Sequence, residues 1–578
     1  VIESECSPKK IIYSSYQKSI NPSPYDPLPV RLRHHLFLAI SGCTSTTTPE
    51  QAESGITGES LLSHIEVISS DDFEGRAPAS AGEDLTVDYI VEQLQEMEIS
   101  PGMPDGSYIQ EFPLLGQQVD RATASFTIKN DGQQAEVLEY TADFMAWPSN
   151  EAEQVQIRDA ELLYVGYGIQ APEFNWDDYK EADVAGKILI FKNSDPSLDP
   201  EIFEGDSRLY YGRWSYKFEK AADMGALGAI IIHTASTAGY PWNVVANSWG
   251  RERFSLKSGT DNSTQMPEFS SWFTQSSSEQ LFSQAGLDLD EMLNAADNRE
   301  FTPVELNGVT LDVDLTATYS DMSSRNVIGK IEGSDSELSD QHVIFSAHYD
   351  HLGITTPVNG DSINNGAWDN AAGVAAVLES ANALKKVGNS LRRTVHFMFV
   401  GAEEMGLLGS QYWSQNPTVL PGKVSANFNL DGMQIFGETE DLVLIGYGRN
   451  SLTDIFSEYA QEAGRTIEPD PHPAQGYFYR SDHFSFARVG IPAIFPNPGR
   501  EFINKPDNYI ATVDSVTDAN YHAVSDEINS YWDMDGMTKD TRLVFRVAYD
   551  VINRDSMMKW EAGDEFEAIR NEMIENAE

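Results

Sequence analysis

"HVIFSAHYD" at residues 342–350, "NAAGVAAVLESANALKK" at 370–386 and "RRTVHFMFVGAEE" at 392–404 decide the fold. The first and last contain short apolar runs of valine, isoleucine and phenylalanine, the composition of buried strands. The middle segment is too long for a typical strand and is rich in alanine, the best helix former. Moving outward, "NVIGKIEG" at 326–333, "VSANFNLDG" at 424–432, "DLVLIGYG" at 441–448, a helical pattern after Ser451 and "IPAIF" at 491–495 continue the alternation. Strand and helix in turn predict an α/β domain with a mixed, mostly parallel sheet flanked by helices.

Upstream the texture changes. Residues 57–98 read as helical, with Val87, Ile90, Val91, Leu94 and Met97 on one face. From about 140, "ELLYVGYGI", "GKILIFKN" and "ALGAIIIH" read as strands and "SYKFEKAADMGA" as the helix feeding the third, followed by polar, aromatic-bearing sequence over 235–300. The predicted division is a leader and flexible tether at 1–56, a main domain split into 57–140 and 303–560, an insertion at 141–302, and an acidic tail at 561–578.

A chain of 578 residues is too long for one ordinary core. Its 90 Asp and Glu against 39 Lys and Arg give a net charge of −51. Such a surface repels nucleic acid and anionic membranes, which removes both as docking partners. The two cysteines, Cys6 and Cys43, lie too close to the start to form a disulfide framework for the folded part. Around Cys43, "RLRHHLFLAISGCTSTTTPEQAES" has basic residues, a short apolar stretch and then Ile40, Ser41, Gly42 and Cys43, resembling the lipobox of a bacterial lipoprotein signal peptide. A lipid on Cys43 would tether the protein to the cell envelope. No later segment is apolar for long enough to span a bilayer.

In open α/β sheets, ligands gather beyond the carboxyl ends of the strands. His348 and Asp350, Glu403 and Glu404, and Asp431 stand at such ends, and Asp369 sits where a loop enters a helix. Each alone has an ordinary structural reading: Asp369 as an N-cap, His348 as a core histidine, Asp431 as a turn former, the glutamates as first-turn residues. Together they suit a two-metal hydrolytic site, since imidazole and carboxylate are the ligands of catalytic zinc. Asp350, two residues after His348, is placed to hold the ring's other N–H. Two adjacent glutamates become tolerable if Glu404 binds metal and Glu403 faces the attacking water as general base. By spacing alone, His483 and His522 compete for the last ligand position.

"SAHYDHLG", "GAWDNAAG", "GAEEMGLLGS", "NLDGM", "RSDHFSFARVGIPAIF" and "YHAVSDE" resemble, in order, the motifs of the zinc-dependent aminopeptidase family that also contains glutamate carboxypeptidase and the transferrin receptor ectodomain. The resemblance covers roughly 60–115 and 303–555, and residues 141–302 resemble the mainly-β protease-associated domain often inserted in these enzymes. It implies two Zn2+ ions, with His348 and Asp431 on one, Glu404 and His522 on the other, and Asp369 bridging. It further implies Glu403 as base, Asp350 orienting His348, Tyr521 as hydroxyl donor to the oxyanion, a cis Asp369–Asn370 bond, and Arg480 and His483 on the substrate side. The implied activity is release of N-terminal residues from peptides. The alternatives are a carboxypeptidase using Arg480 and Arg213 for a terminal carboxylate, and a non-catalytic receptor-like module.

Overall fold

The computed structural model describes residues 47–130, 135–196, 203, 205, 207–238, 240–257 and 266–577; Cys43 and residues 1–46 of the expected leader lie outside the described residues, whereas the end of the expected flexible tether is packed structure, a helix Pro49–Glu53 whose Ala52, with Ile56, is buried in the first core. The main sheet runs Arg253–Leu256, Ile109–Val119, Val304–Ile331, Thr394–Val400, His342–His348, Val424–Asn429, Ala493–Asn497, Asp441–Ile445, Thr466–Pro469. Pairing is parallel across the centre, from Thr394–Val400 to Ala493–Asn497, and the next pair on each side is antiparallel, while the edge pair Asp441–Ile445 and Thr466–Pro469 is parallel again. This is the expected mixed sheet, and its central strands are buried on both faces as parallel strands must be. Val395, Phe397 and Phe399 face one core, Met398 and Val400 the other.

Phe345 lies opposite both Phe397 and Phe428 in register, and their rings stack at 5.7 and 5.5 Å. Burying each ring contributes about 1.5–3 kcal/mol, and a one-residue slip would turn the whole row to the other face. The row therefore sets where the three strands end, which aligns His348, the turn after Val400 and Asp431. Truncating Phe345 to alanine would cost roughly 3–5 kcal/mol and loosen that alignment.

The predicted crossover helix is Ala372–Val387, and its first ten residues are all buried between the sheet and the helices Gly58–Ile68 and Asp535–Asn553. Small residues permit this depth. A Cβ on Gly373 would stand 2.2 Å from the Leu430 carbonyl oxygen, so glycine alone lets the helix start press against the chain just before Asp431.

A second core, from Val119 to Leu315, surrounds another mixed sheet. Its centre is Gln154–Tyr164, Ile188–Lys192, Gly228–His233 and Phe269–Thr274, all paired in parallel. Helices Trp214–Asp223, Trp242–Trp249, Gln275–Gln284 and Leu289–Ala295 accompany these strands, so the region is mixed α and β rather than mainly β. The long strand Val304–Ile331 serves both sheets: residues 304–316 pair in the second and 317–331 in the main one. Its first part buries Val309, Leu311, Val313 and Leu315 in strict alternation, one face against the second core.

Candidate metal centre

The aligned strand ends deliver the acids and one imidazole; the rest arrive from loops. Beyond Val400, Gly401 makes a turn in which a Cβ would meet the Tyr349 hydroxyl at 2.7 Å. The amides of Glu403 and Glu404 then point at the Asp350 carboxylate, donating to it at 3.0 and 3.2 Å. Asp369 lies in the irregular turn before helix Ala372–Val387, its peptide bond to Asn370 is cis, and the amides of Trp368 and Asp369 donate to the Asp526 carboxylate at 2.9 and 3.0 Å. His522 follows helix Tyr509–Asn520, on the opposite side of the site.

The side chains converge in a nearly symmetrical pair. His348 Nε2 is 3.2 Å from Asp369 Oδ1 and 3.4 Å from Asp431 Oδ1. His522 Nε2 is 3.1 Å from Asp369 Oδ2 and 3.1 Å from Glu404 Oε2. Each Asp369 oxygen thus serves a different imidazole. Single donor atoms of His348, Glu403 and Asp431 lie within 4.8 Å of one another, as do those of His351, Asp369 and Glu404. Two imidazoles and several carboxylates, with one carboxylate shared, form the donor set of a two-zinc centre.

Charge in the site is lopsided. Burial pushes Glu403 well above the usual carboxylate range, and Asp482, Glu404 and Asp431 add repulsion against the pull of His348. Glu404 moves the other way: burial would raise it, but His522 and His351 beside it bring it down to about 2. For His348, burial opposes the charged ring, yet Glu403, Asp431 and the contact with Asp369 hold it well above the imidazole range. The adjacent glutamates are therefore divided into one that keeps its charge and one ready to accept a proton. So many carboxylates close around two rings would be balanced by divalent cations.

Residues 326–547 match the peptidase family M28. Over this segment the chain is similar to that family. A probable lipoprotein aminopeptidase, LpqL, of Mycobacterium tuberculosis is 29% identical over 238 residues, covering 38% of this chain and 43% of the relative. Leupeptin-inactivating enzyme 1 of Streptomyces exfoliatus is 33% identical over 135 residues, 23% of this chain and 29% of that enzyme. Aminopeptidase YwaD of Bacillus subtilis is 29% identical over 231 residues, 36% and 47% of the two chains. The chain spans less than half the length of each of these relatives. Among solved structures, an aminopeptidase from Aneurinibacillus sp. strain AM-1 aligns over 87% of this chain and 96% of that one at a TM-score of 0.48 and 19% identity.

The M28 segment places other sequence-selected residues differently. His348 Nδ1 is 3.1 Å from the Asp350 main-chain oxygen and 3.8 Å from its carboxylate, so the Asp350 side chain holds the glutamate turn while its backbone holds the ring. His483 is 0% exposed, between Phe478 at 4.7 Å and Phe495 at 5.5 Å, and burial takes it down to about 3; it is a neutral core histidine with no face toward substrate. Tyr521 is 53% exposed and stacks on His522 at 3.9 Å. Arg480 lies with its guanidinium 5.3 Å from the Tyr477 ring.

Three site residues escape a reading of the sequence. His351 Nδ1 lies 2.7 Å from Glu404 Oε1, Ser481 donates to Asp431 Oδ2 at 2.6 Å, and Asp526 receives the amides before Asp369. All three sit inside motifs quoted above, one to four residues from a selected position. Their proximity in sequence was the available signal, and residue type alone did not separate support from ligation.

Proposed function

We propose that the protein is a two-zinc aminopeptidase that releases N-terminal residues from peptides. The observation that carries this reading is the division of Asp369, one oxygen toward His348 and the other toward His522. In it His348 and Asp431 would hold one zinc and Glu404 and His522 the other, with Asp369 offering one oxygen toward each. His351 bonds the free oxygen of Glu404 and turns that carboxylate, as outer partners of metal ligands do.

Zinc, when bound, supplies Lewis-acid polarisation of the scissile carbonyl and acidifies water. Glu403, half-buried and raised in proton affinity, accepts the proton of the attacking water at its carboxylate and returns it to the leaving amine. Tyr521 is exposed to substrate, and its stacking on His522 directs the hydroxyl toward the developing oxyanion. Arg480, its guanidinium 5.3 Å from the Tyr477 ring, serves the substrate side in this reading. Arg213 beside it, brought down to about 10 by burial and then by the like charges of Arg480 and Arg208, would instead serve the carboxypeptidase alternative, in which the pair meets a terminal carboxylate.

The segment 141–302 acts as a lid that limits substrate size in this reading, and a lipid on Cys43 tethers the protein to the cell envelope. The lipoprotein relative supports the tether, and among the described residues no helix is long and apolar enough to cross a membrane. The decisive experiment assays the purified protein on matched peptides with free and blocked N-termini, alongside zinc analysis. About two zinc ions per chain and activity confined to free N-termini are expected. Cleavage of blocked peptides from the other end, or a protein free of zinc and inert, would defeat the proposal.

A further inference from the structure

Arg76 is 0% exposed, lies outside every catalytic motif, and makes no ion pair among the described residues. Its guanidinium instead donates to four main-chain carbonyls: Nε to Tyr349 at 2.7 Å, Nη1 to Ile68 at 2.9 Å and to Asn365 at 2.6 Å, Nη2 to Gly366 at 2.9 Å. Tyr349 separates His348 from Asp350, and Asn365 and Gly366 lead into Asp369. The Arg76 carbonyl also accepts from the His351 amide at 3.4 Å. One side chain therefore spans the loop carrying His348 and His351 and the loop carrying the shared carboxylate.

The backbone reaches this place at a cost. Glu74, Gly75 and Arg76 have φ of 49, 66 and 53°, and each non-glycine residue in that region loses about 1–2 kcal/mol. Gly75 runs so close beneath the loops that a Cβ would meet the Asn364 oxygen at 2.5 Å and the Gly353 Cα at 3.0 Å. Around the guanidinium stand Asp526, Asp350, Asp369 and Glu404; burial lowers Arg76 to about 10 while these four resist the fall. A planar fork can fix carbonyls from separate segments at set spacings while keeping its charge, which a lysine ammonium on a flexible stem cannot.

We propose that Arg76 is a positioning residue for the metal centre: it ties the two ligand-bearing loops together and sets a permanent positive charge behind their carboxylates. The inference rests on the two-zinc reading above. It assigns Arg76 a task different from that of the ligands, since it touches neither metal nor substrate.

The test uses the full chain with Arg76→Lys, which keeps the charge and loses the fork, and Gly75→Ala, which leaves Arg76 in sequence and displaces it. Zinc affinity is measured by chelator competition, and folding of the metal-free proteins by circular dichroism. Both folded variants are expected to bind zinc about 10–100-fold more weakly than wild type, the effect seen when outer partners of metal ligands are removed. Unchanged zinc affinity in either folded variant overturns the proposal. Failure of both metal-free variants to fold also overturns it, because Arg76 would then support the fold as a whole. If wild type binds no zinc, the functional reading fails; if wild type and variants bind it equally, only this inference does.

Discussion

Lys217 in the second core and Arg76 beside the candidate site are both buried against main-chain carbonyls, yet the two are surrounded differently. In the second core Lys217 is 0% exposed and donates to the carbonyls of Tyr167, Ser194 and Tyr211 at 2.7, 2.9 and 2.7 Å. Its acidic neighbours are already engaged: Asp195 accepts the Leu209 amide at 2.9 Å, and Asp178 accepts the Ile169 amide at 2.9 Å and the Trp176 indole at 2.8 Å. In the M28 half, Asp350 and Asp526 are engaged with amides in the same way, but Asp369, Glu404 and Asp431 face imidazoles and one another. Acids satisfied by backbone donors build structure, whereas acids turned toward each other across imidazoles await a cation. Sequence composition cannot make this distinction, because both halves are rich in aspartate and glutamate.

The comparison is broken most directly at Glu403. Glu403→Gln should lower kcat about 10²–10⁴-fold, the usual worth of a general base, with zinc content and thermal unfolding close to wild type. Zinc loss in that variant would place Glu403 among the ligands and erase the division between the paired glutamates.

Lys217→Met should do the reverse. Removing a buried, hydrogen-bonded charge and leaving its partners costs roughly 3–5 kcal/mol, here confined to the second core. Urea unfolding followed alongside kcat/KM on a small substrate separates the two effects: stability should fall while turnover of the folded fraction stays unchanged. A loss of turnover without loss of stability would show that the second core takes part in the chemistry.

Acid distinguishes the halves more gently. His342 Nδ1 and His396 Nε2 are 3.2 Å apart at the amino ends of the M28 strands, and burial takes them down to about 4 and about 3. Depressed histidines bind fewer protons folded than unfolded, so their contribution is complete above about 6.5 and is lost as pH falls toward 4. In the second core burial raises Asp178 to about 7 and Asp195 to about 6, so the folded state there holds the extra protons and gains stability over the same fall in pH. Asp350, Asp482 and Asp526 in the M28 segment, raised by burial to about 7, about 6 and about 6, act in the same direction as these acids, so calorimetry of the metal-free protein between pH 6.5 and 4 isolates the histidine pair only by comparing the slopes of wild type and His342→Asn. His342→Asn should flatten the acid loss of the M28 half, and an unaltered slope would remove the histidine pair as its cause.

Much of the catalytic half is legible in the sequence because its central strands are continuous apolar runs and its ligands sit at their ends. His348, Glu404 and Asp431 need only strand identity and parallel register to meet, and the Phe345, Phe397 and Phe428 row enforces that register. His522 was harder, since spacing alone left it level with His483. Burial separates them: His483 packs between two phenylalanines, while His522 opens onto Asp369 and Glu404. The mixed character of the second core was less visible because the helices Trp242–Trp249 and Leu289–Ala295 span only eight and seven residues, too short for a helical period to stand out.

Taken by itself, the order of apolar and polar residues determined which segments become strands, which becomes the crossover helix, and which side chains stand at the strand ends, since these depend on local period and composition. Tertiary structure decided what each acid faces and how Arg76 reaches the loops of His348 and Asp369, although it lies hundreds of residues earlier in the chain. Those outcomes follow from close packing between distant segments, which decides whether a carboxylate finds backbone amides, as Asp350 and Asp526 do, or imidazoles, as Asp369 and Glu404 do.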